Sequence, residues 1–240
     1  MRNYIISGKN PVLSLLRLNL KVIEVNIEDN IRFDEKLSEI VALCKNKNVI
    51  VNYKKRDFFK NLDESQGICA KFEKDDHLDI DKILEKESSI VILKDIVYKQ
   101  NLGAIIRSCA LGGVDLLVLP KKEEGLHLTS EVLRVSQGGA LSLNIIYVNI
   151  FEFIKKLKYF GIPLFGIENF GKDIYFNENL KGSVAFLFGS ESDSLSEPLL
   201  KKCDKILKIP QSKKSSVNSL NIASSVSIII YEKIRQNYIK

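Results

Sequence analysis

The sequence predicts an α/β protein in which a small α/β domain precedes a larger domain built on a parallel sheet. In the larger part, near-continuous runs of Val, Ile and Leu alternate with helical patterns. Such alternation is typical of a parallel sheet with helices on both faces. Residues 75–89 are strongly acidic and separate two regions of different patterning. We therefore expect a domain over residues 1–74, a linker over residues 75–89 and a second domain over residues 90–240.

In the first domain, helical and strand patterns alternate along the chain. They are the helix NPVLSLLRLN, the strand KVIEVNI, the helix EKLSEIVALCKNKN and the strand VIVNYK. The helical segments carry an apolar face, and the strands are rich in Val and Ile. We expect these elements to form a small α/β unit of their own.

In the second domain, the alternation continues almost to the last residue. The order is strand SIVILKDI, helix GAIIRSCALGG, strand VDLLVLP, helix SEVLRVSQGG, strand LNIIYVNI, helix FEFIKKLKYFG, strands PLFGIEN and SVAFLFG, helix EPLLKKC, strand KILKIP and helix NIASSVSIIIYEKIRQ. In open parallel sheets, ligands bind beyond the carboxyl ends of the strands. We therefore expect the functional site in the polar segments that follow these strands.

Composition disfavours several classes of protein. The four cysteines are scattered, without a CxxC pair or a histidine at ligand spacing, so we expect no zinc knuckle, no disulfide framework and a reducing, cytoplasmic setting. The fingerprints GxGxxG, GxxxxGK[ST], GxSxG and HExxH do not occur. No apolar run approaches the roughly 18 to 20 residues of a membrane span. His77 and His127 lack partners at a telling spacing, and we expect both at the surface.

The net charge of +6 is concentrated near the end of the chain. Residues 201–240 hold nine Lys and Arg against two Asp and Glu, whereas the preceding residues are nearly balanced. A concentrated basic segment attracts polyanions through counterion release, and RNA is the obvious candidate. A solvated lysine-rich surface explains the charge alone equally well.

The first polar segment is Asn101-Leu-Gly103-Ala-Ile-Ile-Arg107, where we expect a helix to begin around Gly103. Gly103 would let the backbone approach a ligand closely. Asn101 can cap the helix or orient a ligand, and Arg107 offers a fork of donors suited to phosphate. A plain helix cap at Asn101 and a solvated Arg107 would explain the same residues.

Two further polar segments follow later strands. In Gly189-Ser190-Glu191, the backbone amides can hold a small molecule. Glu191 can bond a ribose hydroxyl or receive a proton. A solvated carboxylate in a turn would explain Glu191 equally. In the other, Ile209-Pro210 ends a strand and Ser219-Leu220-Asn221 opens the last helix. Ser219 or Asn221 can be a plain N-cap. Lys213 and Lys214, between them, suit a flexible basic loop or phosphate contacts.

Together and in this order, the three segments resemble the signature of the SpoU (TrmH-like) RNA 2′-O-methyltransferases of the SPOUT superfamily. Each segment is weak alone, but the ordered set is specific. The resemblance extends to residues 134–140, a glycine-bearing segment common in the family. Residues 7–12 and 65–68 are similar to the opening and closing of the family's ribosomal-protein-like substrate-binding domain. The resemblance to the family therefore covers nearly the whole chain.

The resemblance implies a fold, a reaction and partners. The second domain would contain a trefoil knot, in which the segment after Pro210 threads through a loop. The protein would be a homodimer with its active sites at the interface. It would use S-adenosylmethionine as methyl donor, without a metal. Its substrate would be a ribose in RNA, most often a guanosine of 23S ribosomal RNA for members with this first domain.

Carried over residue by residue, the resemblance assigns roles in the site. It gives Gly189, Ile209 and Leu220 as cofactor contacts, and Asn101, Arg107, Ser219 and Asn221 as catalytic residues, with Glu191 nearby. The family proposal makes the arginine a general base, but arginine is effectively always protonated. We expect Arg107 to grip the adjacent phosphate and stabilise the developing alkoxide, while the proton passes to phosphate, water or Glu191.

Departures from the family pattern keep other functions open. Ser192 and Ser194 stand where glycines are usual, and the loop from Ile209 to Leu220 is longer than usual, with Lys213, Lys214 and Ser215 in a region that commonly has glycine. A non-catalytic RNA-binding or ribosome-assembly protein with the same fold is therefore one alternative. Transfer RNA as the substrate is a second. A generic nucleotide-binding α/β enzyme is a weaker third, because the phosphate fingerprints are missing.

Overall fold

The α/β class is confirmed by the computed structural model, which describes residues 2–18, 20–62, 65–74, 78–190, 193–212, 214, 217 and 219–238. Within these residues, the chain forms a four-stranded sheet followed by a seven-stranded sheet. The first sheet ends at Lys74, and the second begins at Ser89. No helix among the described residues is both long and apolar enough to span a membrane.

The first sheet carries its helices between consecutive strands. Its elements are β1 (Arg2–Ser7), α1 (Lys9–Arg17), β2 (Lys21–Glu28), α2 (Glu35–Asn46), β3 (Ile50–Lys54) and β4 (Ile68–Lys74). The spatial order is β1-β4-β2-β3, in which β2 and β3 are parallel and β4 is antiparallel to both of its neighbours. The helices, β2 and β3 were predicted. The strands β1 and β4 were missed, because they depend on pairing between distant residues such as Ile6 and Ala70.

The second sheet is parallel at every strand pair within the described residues, as predicted. Its region comprises α3 (Ile80–Leu84), β5 (Ser89–Leu93), α4 (Lys99–Leu111), β6 (Leu116–Pro120), α5 (Ser130–Val135), α6 (Gly139–Ser142), β7 (Ile145–Val148), α7 (Ile150–Tyr159), β8 (Leu164–Ile167), β9 (Asp173–Ile174), β10 (Val184–Phe188), α8 (Glu197–Leu200), β11 (Lys205–Lys208) and α9 (Ile222–Tyr238). The spatial order is β7-β6-β5-β10-β8-β11-β9. The central strands β5 and β10 are buried along their whole length.

Apolar side chains pack on both faces of the second sheet. Along β5, Val91 and Leu93 join one buried cluster, whereas Ile90 and Ile92 join another. The first cluster continues into the core of the first sheet, so the two regions share buried apolar contacts. Leu84 of α3 lies in the second cluster, which places a packed helix inside the segment predicted as a linker.

The glycine-bearing segment after α5 joins the two regions. Gly138 has a φ of 89°, and a Cβ added to it would lie 2.4 Å from the Cβ of Ser14 in α1. The Ser14 hydroxyl donates to the carbonyl of Gln137 at 3.1 Å. Lys74, at the end of the first sheet, donates to the carbonyl of Ala140 at 3.4 Å. This position therefore requires glycine for close packing of the two regions.

His127 is buried, which corrects the expectation that it lies at the surface. Its side chain is 7% exposed, and its Nδ1 forms a hydrogen bond with the hydroxyl of Tyr147. Leu126 and Leu128 pack against the apolar core on either side and carry His127 inward. Burial lowers the pKa of His127 to about 3, and Lys74 contributes in the same direction. His77, the other histidine, lies outside the described residues.

We expect His127 to make the protein less stable as the pH falls below the ordinary histidine value of 6.5. Below pH 6.5, His127 becomes protonated in the unfolded chain but stays neutral in the folded chain. Its contribution to the free energy of unfolding is therefore complete above pH 6.5 and decreases as the pH falls toward the folded pKa. The slope contributed by one such group approaches about 1.4 kcal/mol per pH unit. The free energy of unfolding in urea, measured between pH 7 and 5, should show this pH dependence in the natural protein. The His127→Gln variant should lack it. Equal slopes in the two proteins would contradict the assignment.

Candidate functional site

A cleft of about 660 Å³ lies beyond the carboxyl ends of β5, β10, β8 and β11. These strands are parallel neighbours, so the loops that follow them meet at one edge of the sheet. The position agrees with the edge predicted from the sequence. Residues of all three polar segments line it, namely Asn101, Gly189, Ile209, Ser219, Leu220 and Asn221.

A hydrogen bond between two asparagines joins the first segment to the third. The side chain of Asn221 donates through Nδ2 to Oδ1 of Asn101 at 3.1 Å. Its own Oδ1 accepts from the backbone N–H of Ala223 at 2.8 Å, which caps the start of α9. Helix α4 begins at Lys99, with Tyr98 as its N-cap residue, and not around Gly103. Asn101 therefore lies inside the first turn, and a capping role for it is wrong.

Gly103 and Arg107, further along α4, lie away from the cleft. A Cβ added to Gly103 would lie 2.6 Å from the Cβ of Val135, so this glycine permits close packing of α4 against α5. We predicted that Gly103 would let the backbone approach a ligand, but its contacts are with α5 and not with the cleft. The side chain of Arg107 is exposed and forms no hydrogen bond or ion pair with any residue that the structure describes. It lies about 9 Å beyond Asn101 along the helix axis.

The loop after β10 is held by bonds within itself. The backbone N–H of Ser190 donates to the carbonyl of Asp193 at 3.0 Å, and the N–H of Asp193 donates to the Ser190 hydroxyl at 2.9 Å. A Cβ added to Gly189 would lie 3.0 Å from the Asp193 carbonyl oxygen, so glycine allows the tight turn. The carbonyl of Ser194 accepts from Nζ of Lys94 at 3.3 Å, which ties this loop to the end of β5.

The third segment contributes one wall of the cleft through Ile209, Ser219 and Leu220. Ile209 is half-buried against the apolar core, whereas Ser219 and Leu220 are exposed to the cleft opening. Several residues singled out from the sequence lie outside the described residues, namely Glu191, Ser192, Lys213 and Ser215. Their roles therefore stay predictions.

Glu168 is a cleft residue that the sequence reasoning missed. It follows β8, lines the cleft, and accepts through Oε1 from the backbone N–H of Leu195 at 2.5 Å. Asn169, beside it, accepts from the side chain of Gln211 at 3.2 Å. The loop after β8 therefore contacts the loops after both β10 and β11. The rule that ligands bind at carboxyl ends of parallel strands could have found Glu168, because it directly follows the strand predicted as PLFGIEN.

The described lining of the cleft is acidic. Glu168 and Asp193 are carboxylates, and no lysine or arginine appears among the described lining residues. A half-enclosed site of this charge favours a ligand with positive charge and disfavours phosphate. Phe188, Ile209 and Leu220 add apolar surface to the same cleft. The arrangement suits an organic cation with an apolar body.

Four of the basic residues near the end of the chain have partners within the fold. Lys201, Lys205 and Arg235 form ion pairs, and buried Lys233 donates to backbone carbonyl groups. Their acceptors are Glu197, Glu178, Glu232 and the carbonyl groups of Leu180 and Gly182. These four basic residues are therefore already engaged within the described part of the chain.

A basic and aromatic surface occurs instead on the first region. Tyr53 and Phe58 are exposed, and Nζ of Lys54 lies 5.9 Å from the centre of the Phe58 ring. Lys55 and Arg56, between them, are also exposed. Exposed aromatic rings among basic side chains suit the stacking of unpaired bases and contact with the phosphate backbone.

Two family models match the chain. One is described as the SpoU rRNA Methylase family and matches residues 88–231. The other is described as RNA 2′-O ribose methyltransferase substrate binding and matches residues 5–78. A protein of Staphylococcus aureus (strain MSSA476), described as a TrmH family tRNA/rRNA methyltransferase, is 30% identical over 248 aligned residues, which cover 99% of this chain and 98% of its own.

Solved structures share the whole fold. A structure described as an RNA 2′-O ribose methyltransferase has a TM-score of 0.83 and 19% identity, and the match covers 99% of this chain and 90% of that chain. The SpoU methyltransferase AviRb from Streptomyces viridochromogenes, solved in complex with AdoMet, has a TM-score of 0.80 and 21% identity, over 98% of this chain and 90% of that chain. At these identities, the likeness concerns the fold.

We expect Asn221→Ala to lower the free energy of unfolding by about 1 kcal/mol or more, because the cap of α9 is lost. Asn221→Ser keeps a capping oxygen and should recover most of that loss, although it cannot reach Asn101 in the same way. Chemical denaturation of both variants measures the difference. If serine and alanine destabilise equally, the capping role assigned to Asn221 is wrong.

Proposed function

The chain belongs to the SpoU rRNA methylase family and is an RNA 2′-O-ribose methyltransferase that uses S-adenosylmethionine, and we propose that its acceptor is a guanosine of 23S ribosomal RNA. We further propose that the cleft beyond β5, β10, β8 and β11 binds the methyl donor. The observation that carries this proposal is the meeting of all three ordered segments at that one cleft.

The described residues of the cleft fit the methyl donor. Its apolar surface suits an adenine ring, and the carboxylates of its lining suit a sulfonium and an ammonium. Gly189 lines this cleft together with Ile209 and Leu220. Gly189, Ile209 and Leu220 are therefore the proposed cofactor contacts.

When bound, S-adenosylmethionine supplies a methyl group already activated by its sulfonium. The protein then has to orient the ribose hydroxyl, and positioning alone can lower the barrier by several kcal/mol. We assign this orientation to Asn101, Asn221 and Ser219. The bond between the two asparagines fixes the Asn101 amide, whose nitrogen makes no hydrogen bond with the described residues and can donate to a ribose oxygen. Glu191, outside the described residues, remains a proposed proton acceptor.

Arg107 is proposed to bind a phosphate of the RNA and to stabilise the negative charge that develops on the ribose oxygen. It is exposed and free of partners among the described residues, and it lies on the helix that carries Asn101. Its separation of about 9 Å from Asn101 within one chain fits contact with a neighbouring phosphate. Guanidinium suits this role, because it presents a planar fork of donors to phosphate oxygens.

A homodimer is also proposed. Val97 and Tyr98 beside α4, Leu111 at its end and Tyr231 on α9 are large apolar side chains that are exposed in the single chain. The two helices pack closely, since a Cβ added to Gly112 would lie 2.2 Å from the Ile230 side chain. Burial of such an apolar surface between two copies would stabilise the pair. It would also place Arg107 near the interface.

Three organisational features complete the proposal. Residues 1–74 and 90–240 are proposed as RNA-binding and methyltransferase domains, joined by residues 75–89. The segment after Pro210 is proposed to thread a trefoil knot, with the likeness to solved family structures as its support. A cytoplasmic location is supported by the free cysteines of the described chain, which fit a reducing compartment.

Ribosomal RNA is favoured as the substrate because of the first region. The matching family model concerns substrate binding, and the surface around Tyr53, Lys54 and Phe58 suits unpaired bases. The relatives described as tRNA/rRNA methyltransferases keep transfer RNA as an alternative. The alternative of a non-catalytic RNA-binding protein, motivated by Ser192 and Ser194, is set aside because the chain belongs to the SpoU rRNA methylase family.

The decisive experiment combines binding with mapping. Calorimetric titration of the purified protein with S-adenosylmethionine should show saturable binding, and light scattering should give twice the mass of one chain. Mapping of 2′-O-methyl sites in ribosomal and transfer RNA from a deletion strain should show one lost site in 23S RNA that returns on complementation. A site lost from transfer RNA would support the alternative substrate. Absence of donor binding would reject the methyltransferase reading.

We expect Arg107→Lys to lower kcat/KM for methyl transfer by about 10- to 100-fold, because lysine cannot form the two-pronged contact with phosphate. The affinity for S-adenosylmethionine should change by less than about twofold, since Arg107 lies outside the cleft. Lys99→Ala, an exposed change on the same helix, is the control and should retain activity. Full activity in Arg107→Lys would contradict the assigned role.

A further inference from the structure

Glu168 occupies a central place in the cleft, although none of the three family segments contains it. It lies directly after β8, between the loops that follow β10 and β11. Its side chain is half-buried and lines the cleft. One carboxylate oxygen, Oε1, accepts the backbone N–H of Leu195 at 2.5 Å. Leu195 is itself buried, so this bond anchors the end of the loop after β10.

The same oxygen lies close to Gly189. A Cβ added to Gly189 would lie 3.2 Å from Oε1 and 3.0 Å from the Asp193 carbonyl oxygen. Glu168 therefore packs against both ends of the turn that is proposed to hold the methyl donor. Its other oxygen, Oε2, makes no hydrogen bond or ion pair with any residue in the described part of the chain. One half of the carboxylate positions the loop, and the other half is available to a ligand.

Glu168 forms no ion pair among the described residues, and the cation near its loop is Lys94, whose Nζ donates to the carbonyl of Ser194, one residue before Leu195. No lysine or arginine lies among the described residues of the cleft lining. In a half-buried site, water screens such a charge less than at an open surface. A carboxylate placed in this way attracts a cationic ligand more strongly than a neutral ligand of the same shape.

The proposed reaction changes the charge of the bound ligand. The bond between sulfur and the methyl carbon breaks, a bond between that carbon and the ribose oxygen forms, and the hydroxyl proton leaves to a base. The sulfonium becomes a neutral thioether, so S-adenosylhomocysteine carries one positive charge fewer than S-adenosylmethionine. A carboxylate that lines the cleft without an ion-pair partner therefore stabilises the donor more than the product.

We propose that Glu168 is a specificity-determining residue of the cleft, which selects the charged methyl donor over the neutral demethylated product. The inference rests on the proposed use of this cleft for S-adenosylmethionine. Preference for the donor would also assist turnover, because the product loses an attraction at the moment it forms. The loop-positioning bond to Leu195 is a separate contribution of the same side chain.

Two substitutions separate these contributions. Glu168→Gln keeps an acceptor oxygen for the Leu195 N–H and removes the charge. Glu168→Asp keeps the charge and shortens the side chain, which weakens the bond to Leu195. Glu152→Gln, which removes an exposed carboxylate on α7, is the matched control. The full-length protein and its variants are titrated calorimetrically with S-adenosylmethionine and with S-adenosylhomocysteine, and their thermal unfolding is measured.

We expect Glu168→Gln to weaken donor binding by about five- to tenfold, while product affinity changes by less than about twofold and Tm is retained. Glu168→Asp should weaken both ligands and preserve the ratio of their affinities. Equal weakening of both ligands in Glu168→Gln, or no change in either, would overturn the inference while leaving the proposed function intact. Failure of the natural protein to bind the donor would remove the proposed function, and the inference with it.

Discussion

Parallel pairing of β5, β10, β8 and β11 is the constraint on which the rest of the structure depends. In a parallel sheet, every strand ends at the same edge, so segments far apart in sequence become neighbours there. The register that aligns Phe188 with Leu93 and with Ile167 brings the ends of three strands to the same level. A slip of one residue would exchange the two faces of a strand and move its following loop. The geometry of the cleft therefore depends on backbone hydrogen bonds around the buried central strands of the sheet.

The loops and helices around the cleft are held together by a few side chains that each make two contacts. Asn221 caps α9 with one atom and binds Asn101 with another. Glu168 holds the loop after β10 and faces the cleft. Such shared use couples the start of a helix, a loop and the site. A change at one of these residues therefore alters local stability and site geometry together.

Charge is divided between regions of the molecule. The described lining of the cleft is acidic, whereas exposed basic and aromatic residues lie on the first region, and Arg107 lies outside the cleft on α4. A cationic methyl donor and a polyanionic RNA can then occupy different surfaces without competing for the same charges. The lysines near the end of the chain contribute less than their number indicates, because carboxylates and carbonyl groups within the fold bind several of them.

Local pattern in the sequence determined most of the helices and parallel strands, the family and the cleft residues Asn101, Gly189 and Asn221, because apolar periodicity and short motifs are properties of neighbouring residues. Tertiary structure alone decided the pairing of β1 with β4, the burial of His127, the packing role of Gly103 and the bond between Glu168 and Leu195. Each of these depends on contacts between residues distant in the chain. No local pattern encodes such contacts, since they arise only when the sheet brings separate segments together.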